Sequence, residues 1–126
     1  YRFIKAGLTD KEIIIYGDGT QTRDFTFISD AVDANILAME TSVTGEIFNI
    51  GGGARVSIKE VIKILEDIMN KRLKIVNIEP QKGDVRHTFS DTYKAKTMLG
   101  YSPKVSLKQG LLHEYNWLKS TEYTKE

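Results

Sequence analysis

Ser57 with Glu60, and Ser106 with Gln109, each form the Ser-x-x-Glu/Gln pattern that opens a helix. In that pattern the hydroxyl and the longer side chain answer one another's orphan backbone N–H groups, so each helix start is set locally. Ile58, Val61, Ile62, Leu65, Ile68 and Met69 then recur at helical spacing, as do Leu107, Leu111, Tyr115 and Leu118. Two amphipathic helices are expected, over residues 57–70 and from residue 106 onward. Each needs an apolar surface to cover its stripe.

With short strand-like runs around those helices, the fold class is a small mixed α/β domain. The 126 residues make one domain by length, large enough to bury roughly two-thirds of the unfolded surface. Strand candidates are residues 13–16 (Ile-Ile-Ile-Tyr), 23–28 with Phe25 and Phe27 alternating, 45–50 ended by Gly51, Gly52 and Gly53, and 73–78. Residues 2–8 read as a helix tail closing on Gly7. Asp30 is expected to N-cap a helix that fades near residues 41–44, with Asp33 adding negative charge to its first turn. Asp91 is expected to cap a short helix ended by Gly100, and the polar residues after Lys119 are expected to fray. The first residue is Tyr1, and the chain is expected to be cut from something longer.

A formal net charge of +1 argues against a dedicated nucleic-acid binder. No apolar run reaches membrane-spanning length, so no membrane partner is expected. With no cysteine the chain forms no disulfide and offers no thiolate, which fits a cytoplasmic setting. Its two histidines, His87 and His113, lie far apart and give no metal-ligand spacing.

Residues 17–25, Gly-Asp-Gly-Thr-Gln-Thr-Arg-Asp-Phe, put one arginine just past a glycine-punctuated turn. A guanidinium held there can grip phosphate oxygens with paired hydrogen bonds, whereas a plain hairpin would leave Arg23 solvated. In residues 83–87, Asp84 can accept from ribose hydroxyls and Arg86 can offer charge to a diphosphate; a solvated surface loop accounts for the same residues. Gly51 and Gly53 match the start of a dinucleotide-binding turn, but Val56 stands where its third glycine belongs, so a packing turn is the better reading. Tyr115 and Lys119 have Tyr-x-x-x-Lys spacing, yet Tyr115 lies on an apolar stripe and reads as core. No catalytic residue and no metal site is expected in this chain.

Residues 13–30, Phe48-Asn49-Ile50-Gly51, Lys82-Gly83-Asp84-Val85-Arg86-His87 and Leu99-Gly100-Tyr101-Ser102-Pro103 together resemble one family. The chain is similar to the carboxy-terminal, substrate-binding part of extended short-chain dehydrogenase/reductases, nearest UDP-glucose 4-epimerases among NAD-dependent nucleotide-sugar epimerases. The resemblance implies an amino-terminal Rossmann domain, absent from these residues, that holds NAD and carries the catalytic tyrosine and lysine. It implies hydride removal from sugar C4, rotation of the 4-keto intermediate and hydride return to its other face. It implies a UDP-sugar as ligand and a homodimeric parent, and leaves the isolated chain inactive. Nucleotide-sugar 4,6-dehydratase, UDP-glucuronate decarboxylase and a non-catalytic binding module are the alternatives; Asp24 in Arg23-Asp24-Phe25 favours epimerase over decarboxylase.

Residue by residue, the resemblance gives Arg23 the nucleotide diphosphate and Phe25 a packing position beside it. Ile14, Tyr16 and Ile58 match positions that line the base pocket, and Asp84 matches a ribose or diphosphate contact. The family's second diphosphate-binding arginine is Gln81 here, with Arg86 or Lys82 as candidate substitutes.

Overall fold

The computed structural model describes residues 1–121. Among them the element order is α1 (Arg2–Leu8), β1 (Ile13–Tyr16), β2 (Thr22–Asp24), α2 (Ile28–Glu40), β3 (Arg55–Ser57), α3 (Ile58–Met69), β4 (Ile75–Ile78), α4 (Tyr93–Leu99) and α5 (Leu107–Ser120). The expectation of a frayed tail falls mainly on residues 122–126, outside the described residues.

Both capping boxes form. Ser57 Oγ accepts from Glu60 N while Glu60 Oε2 accepts from Ser57 N at 2.8 Å, and Ser106 and Gln109 repeat the arrangement. The two stripes meet one another: Val61 and Leu65 of α3 and Leu118 of α5 bury against Ile4 of α1, with Tyr115 and Leu111 packed around them. Each fully buried aliphatic side chain there stabilises the fold by about 1.5–3 kcal/mol. The other side of α3 uses Ile62 to cover Ile13 and Ile15, the inward pair of β1. Alternation along β1 therefore leaves Ile14 and Tyr16 facing outward.

β1 pairs in parallel with β4, in a register that sets Tyr16 against Ile78. β2 pairs antiparallel with β3, and Thr22 makes a further bridge to His87. A third cluster, Ala34, Ala95, Leu99 and Tyr101, joins α2 to α4. Burial, with the Asp30 and Asp24 charges added, pushes the Tyr101 hydroxyl above its ordinary range. That hydroxyl donates to the Gly51 carbonyl at 2.8 Å.

Several local expectations are corrected. Gly7 lies inside α1, where a Cβ would fall 2.6 Å from Met69 Sδ; the helix ends instead on Thr9. The second strand stops at Asp24, because Phe27 turns its carbonyl to accept from Asp30 N and Ala31 N and so caps α2 itself. Asp30 is thus within the first turn of α2, 1% exposed, and its carboxylate accepts from Lys104 N at 3.0 Å and Val105 N at 3.2 Å. Asp33 pairs with Lys104 Nζ, holding that lysine above its ordinary range.

Residues 45–50 form no ladder among the described residues. Phe48 and Ile50 pack on the α2–α4 cluster, and pairing resumes only at Arg55. The glycines between allow the close approach: a Cβ on Gly52 would sit 1.8 Å from the Phe25 carbonyl oxygen. β4 begins at Ile75, two residues later than expected, because Leu73 N closes the preceding turn on Glu66 Oε1. Thr92 occupies the N-cap of α4, while Asp91, one residue earlier, accepts from Tyr93 N at 2.9 Å; Gly100 ends the helix in the left-handed region.

Candidate functional site

Residues 17–19 make the turn that the two glycines foretell, with φ of +80° at Gly17 and +77° at Gly19, a region open to glycine without a Cβ penalty. The turn is fastened on several sides. Gly17 N donates to Ile78 O at 2.8 Å, Asn77 Nδ2 to Gly17 O at 2.7 Å and Gln21 Nε2 to Tyr16 O at 2.8 Å. Asp18 Oδ1 accepts from Thr20 N and Thr20 Oγ1. These hydrogen bonds, with Arg86 and Lys59 beyond them, hold the Asp18 carboxyl below the usual carboxylate range. Below the turn lies the start of α3, where Ile58 N donates to Gln21 O and Lys59 N to Gly19 O.

Between this turn and the loop after β4 runs an open groove of about 790 Å³. Tyr16 and Ile78 wall it at the paired strand ends, Lys59 and Asp18 at the turn, and Gln81, Asp84 and Arg86 at the loop. A volume near 800 Å³ suits a ligand the size of a nucleotide.

Arg23 is no solvated hairpin residue. Its Nη2 lies 2.6 Å from Asp84 Oδ1, and its Nη1 donates to Thr22 O at 2.9 Å and Arg86 O at 3.4 Å. The side chain is 26% exposed and sits behind Asp84 rather than on the groove wall. Arg86, by contrast, reaches the groove itself, donating to Thr20 Oγ1 at 3.0 Å and standing 3.9 Å from Asp18 Oδ2. His87 follows, its Nδ1 2.9 Å from Thr22 Oγ1.

Of the residues singled out from sequence, Tyr16, Gln81, Asp84 and Arg86 come together on the groove, with Arg23 tied in through Asp84. Ile14 lies on the same outward face of β1 but beyond the groove wall. Phe25 lines a different cavity, beside α5. Ile58 packs inward on Ile13, Ile15 and Ile62, as its stripe requires. Lys82 is absent from the wall, whereas Lys59, Asn77 and Gln21 belong to it and were not anticipated. Lys59 did carry a signal: a lysine in the first turn of a helix opposes the macrodipole and calls for a reason other than helix stability.

The Gly51–Gly52 turn does not suit a dinucleotide pyrophosphate. A Cβ at Gly51 would lie 2.5 Å from Asp24 Oδ2, and Gly52 N already donates to Asp24 Oδ1 at 2.8 Å. The space the glycines leave is filled by this chain's own atoms, so these residues form no NAD cradle.

A family model described as GDP-mannose 4,6 dehydratase matches residues 2–113. The chain belongs to this family of extended short-chain dehydrogenase/reductases. UDP-glucuronate 4-epimerase of Thermodesulfobacterium geofontis is 41% identical over 94% of this chain and 37% of its own length. UDP-N-acetyl-alpha-D-glucosaminuronate decarboxylase of Bacillus cytotoxicus is 39% identical over 96% of the chain and 40% of its own. The crystal structure of UDP-glucuronic acid 4-epimerase from Bacillus cereus, in complex with UDP-glucuronic acid and NAD, superposes with a TM-score of 0.89. It is 44% identical over 94% of this chain and 38% of that one. The chain therefore spans well under half the length of these relatives.

Proposed function

We propose that this chain is the nucleotide-sugar-binding part of an NAD-dependent UDP-sugar 4-epimerase, and that the groove between residues 17–19 and the loop after β4 receives the nucleotide. The observation that carries this reading is the Arg23–Asp84 pair, which joins the two segments most characteristic of the resemblance at the back of one cavity. Tyr16 offers a ring face for the base, and Asp84 offers carboxylate oxygens to ribose hydroxyls. Arg86 and Lys59 supply cations at the rim in place of the arginine that Gln81 replaces. Decarboxylation is the second reading, favoured by the 39% identity to a uronate decarboxylase.

The remainder of the longer protein is the partner in this reading. Its docking face is the exposed stripe Ile28, Val32, Ile36 and Met39 of α2, with Ile28 69% and Met39 81% exposed. Tyr16 and Phe25 are exposed as well, whereas Phe27 packs against His113. NAD and the proton-transfer residues belong to that remainder, as do the homodimeric assembly and the cytoplasmic setting of the whole enzyme. No helix among the described residues is long and apolar enough to cross a membrane.

Activity tests the reading in two arms. The complete protein with NAD interconverts a UDP-sugar and its C4 epimer, followed by chromatography of the nucleotide sugars. The 126-residue chain with added NAD gives no turnover. Sustained epimerisation by the short chain, or failure of the complete protein to bind UDP, overturns the proposal.

A further inference from the structure

Asp24 ends β2, next to Arg23, and its carboxylate holds two separate segments at once. Oδ1 accepts from Gly52 N at 2.8 Å, and Oδ2 accepts from Ser90 N at 3.2 Å. The fit around it is tight: a Cβ at Gly51 would lie 2.5 Å from Oδ2 and 2.6 Å from Ser90 Cβ. Tyr101 secures the same turn through its bond to the Gly51 carbonyl. Successive strand residues point to opposite faces of the strand. Arg23 therefore grips the Asp84 end of the loop from one side of β2, while Asp24 grips Ser90 from the other.

We infer that Asp24 is a positioning residue for the groove: it fixes the far end of residues 84–90 and so sets where Asp84 and Arg86 stand. The inference rests on the reading of that groove as a nucleotide site. Between β4 and α4 the described chain has no helix and no ladder, only the single bridge of His87 to Thr22. Hydrogen bonds to β2 therefore place the segment. Thr22 N donates to Arg86 O at 2.9 Å and Thr88 N to Thr22 O at 3.2 Å, while Arg23 holds Asp84. Three consecutive residues of β2 thus lace the loop at its start, its middle and its end, and Asp24 supplies the end.

A carboxylate is the group this position needs. It accepts without donating, and its two oxygens can serve N–H groups from two different segments. Its charge makes each of those bonds about twice as strong as one to a neutral acceptor. An amide of the same size keeps one oxygen but turns its NH2 group toward the other N–H. One of the two ties is then lost, and with it the fixed distance between the Gly51–Gly52 turn and the loop.

Asp24→Asn in the complete protein tests this in two arms. Hydrogen–deuterium exchange, with no nucleotide present, should quicken in peptides covering residues 84–90 and stay unchanged in α3 and α5. UDP affinity, read by calorimetric titration, should fall about tenfold with the melting temperature nearly unchanged. With Arg86 already alanine, the same substitution should cost less, because a side chain that it positions is gone. Asp24→Ser, which keeps one acceptor in a smaller side chain, repeats both arms if the amide variant fails to fold. Unchanged exchange in residues 84–90, exchange raised equally in α3 and α5, unaltered UDP affinity, or full additivity with Arg86→Ala overturns the inference. Failure of the unaltered protein to bind UDP overturns the nucleotide reading instead, and the exchange arm still decides whether Asp24 places the loop.

Discussion

Arg23 and Asp84, 61 residues apart in the chain, meet with Nη2 and Oδ1 at 2.6 Å, and the same guanidinium also donates to the backbone carbonyls of Thr22 and Arg86. One arginine therefore ties β2 to the loop that forms the far wall of the groove. The carboxylate is 40% exposed, so the pair contributes little to stability beyond about 1 kcal/mol. Its value lies in placement.

Replacing Arg23 with alanine removes a charge-assisted contact and frees Asp84 to move. The expected loss in UDP affinity is about 1.5–3 kcal/mol, roughly ten- to a hundredfold, with thermal stability nearly unchanged. Calorimetric titration of the complete protein reads the affinity, and scanning calorimetry reads the stability. Unaltered UDP affinity returns Arg23 to a purely structural role.

Whether Arg86 or Lys82 takes the role that the resemblance gives to an arginine at position 81 is separable by mutation. Arg86→Ala should weaken UDP binding several-fold and flatten its dependence on salt, because Arg86 lies on the groove wall. Lys82→Ala, off that wall, should leave both unchanged. Reversed results would move the diphosphate to the other side of the loop.

Asp30→Ala is expected to be among the most damaging single substitutions in the chain. It strips the acceptors from Lys104 N and Val105 N in a site that water scarcely reaches. Each unsatisfied donor costs about 1–3 kcal/mol, so a total of roughly 2–6 kcal/mol is expected from the shift in urea midpoint. A loss below 1 kcal/mol would show that this clamp is not needed.

Glu66 gives the fold part of its sensitivity to acid. Its carboxylate accepts from Leu73 N and pairs with Arg72, and these contacts hold it below its ordinary value of 4.5. A depressed acid stabilises the fold at pH values above its unfolded pKa. The contribution is then lost as pH falls below about 4.5 and through the lower folded pKa. Glu66→Gln should flatten the decline in melting temperature across that acidic window and leave the neutral-pH slope alone. An unchanged acid slope would assign the effect elsewhere.

What could be read in advance divides by distance along the chain. Ser57 and Glu60 are three residues apart and their box was legible, as was the Gly100 stop, because all of that chemistry is local. Asp30 was misread as a helix cap because its real partners lie 74 and 75 residues away. Residues 45–50 have the composition of a strand, but composition does not provide a neighbour, and the ladder formed at Arg55 instead. The groove was half legible. Tyr16, Asp84 and Arg86 stand in recognisable motifs, whereas Asn77 and Lys59 reach it only through the β1–β4 register and the seating of α3 under the turn.

That register ties ligand binding to the completion of folding. Asn77 grips Gly17 across 60 residues, and Arg86 reaches Thr20 across 66, so neither wall exists until the chain through Arg86 has been made and collapsed. A ligand that recognises both walls therefore binds only the folded form, and it draws the folding equilibrium toward that form in proportion to the logarithm of its concentration. Variants weakened far from the groove, such as one lacking the Asp30 clamp, should regain folded population when a ligand of the groove is abundant, so supply of that ligand sets how much of a damaged protein stays folded.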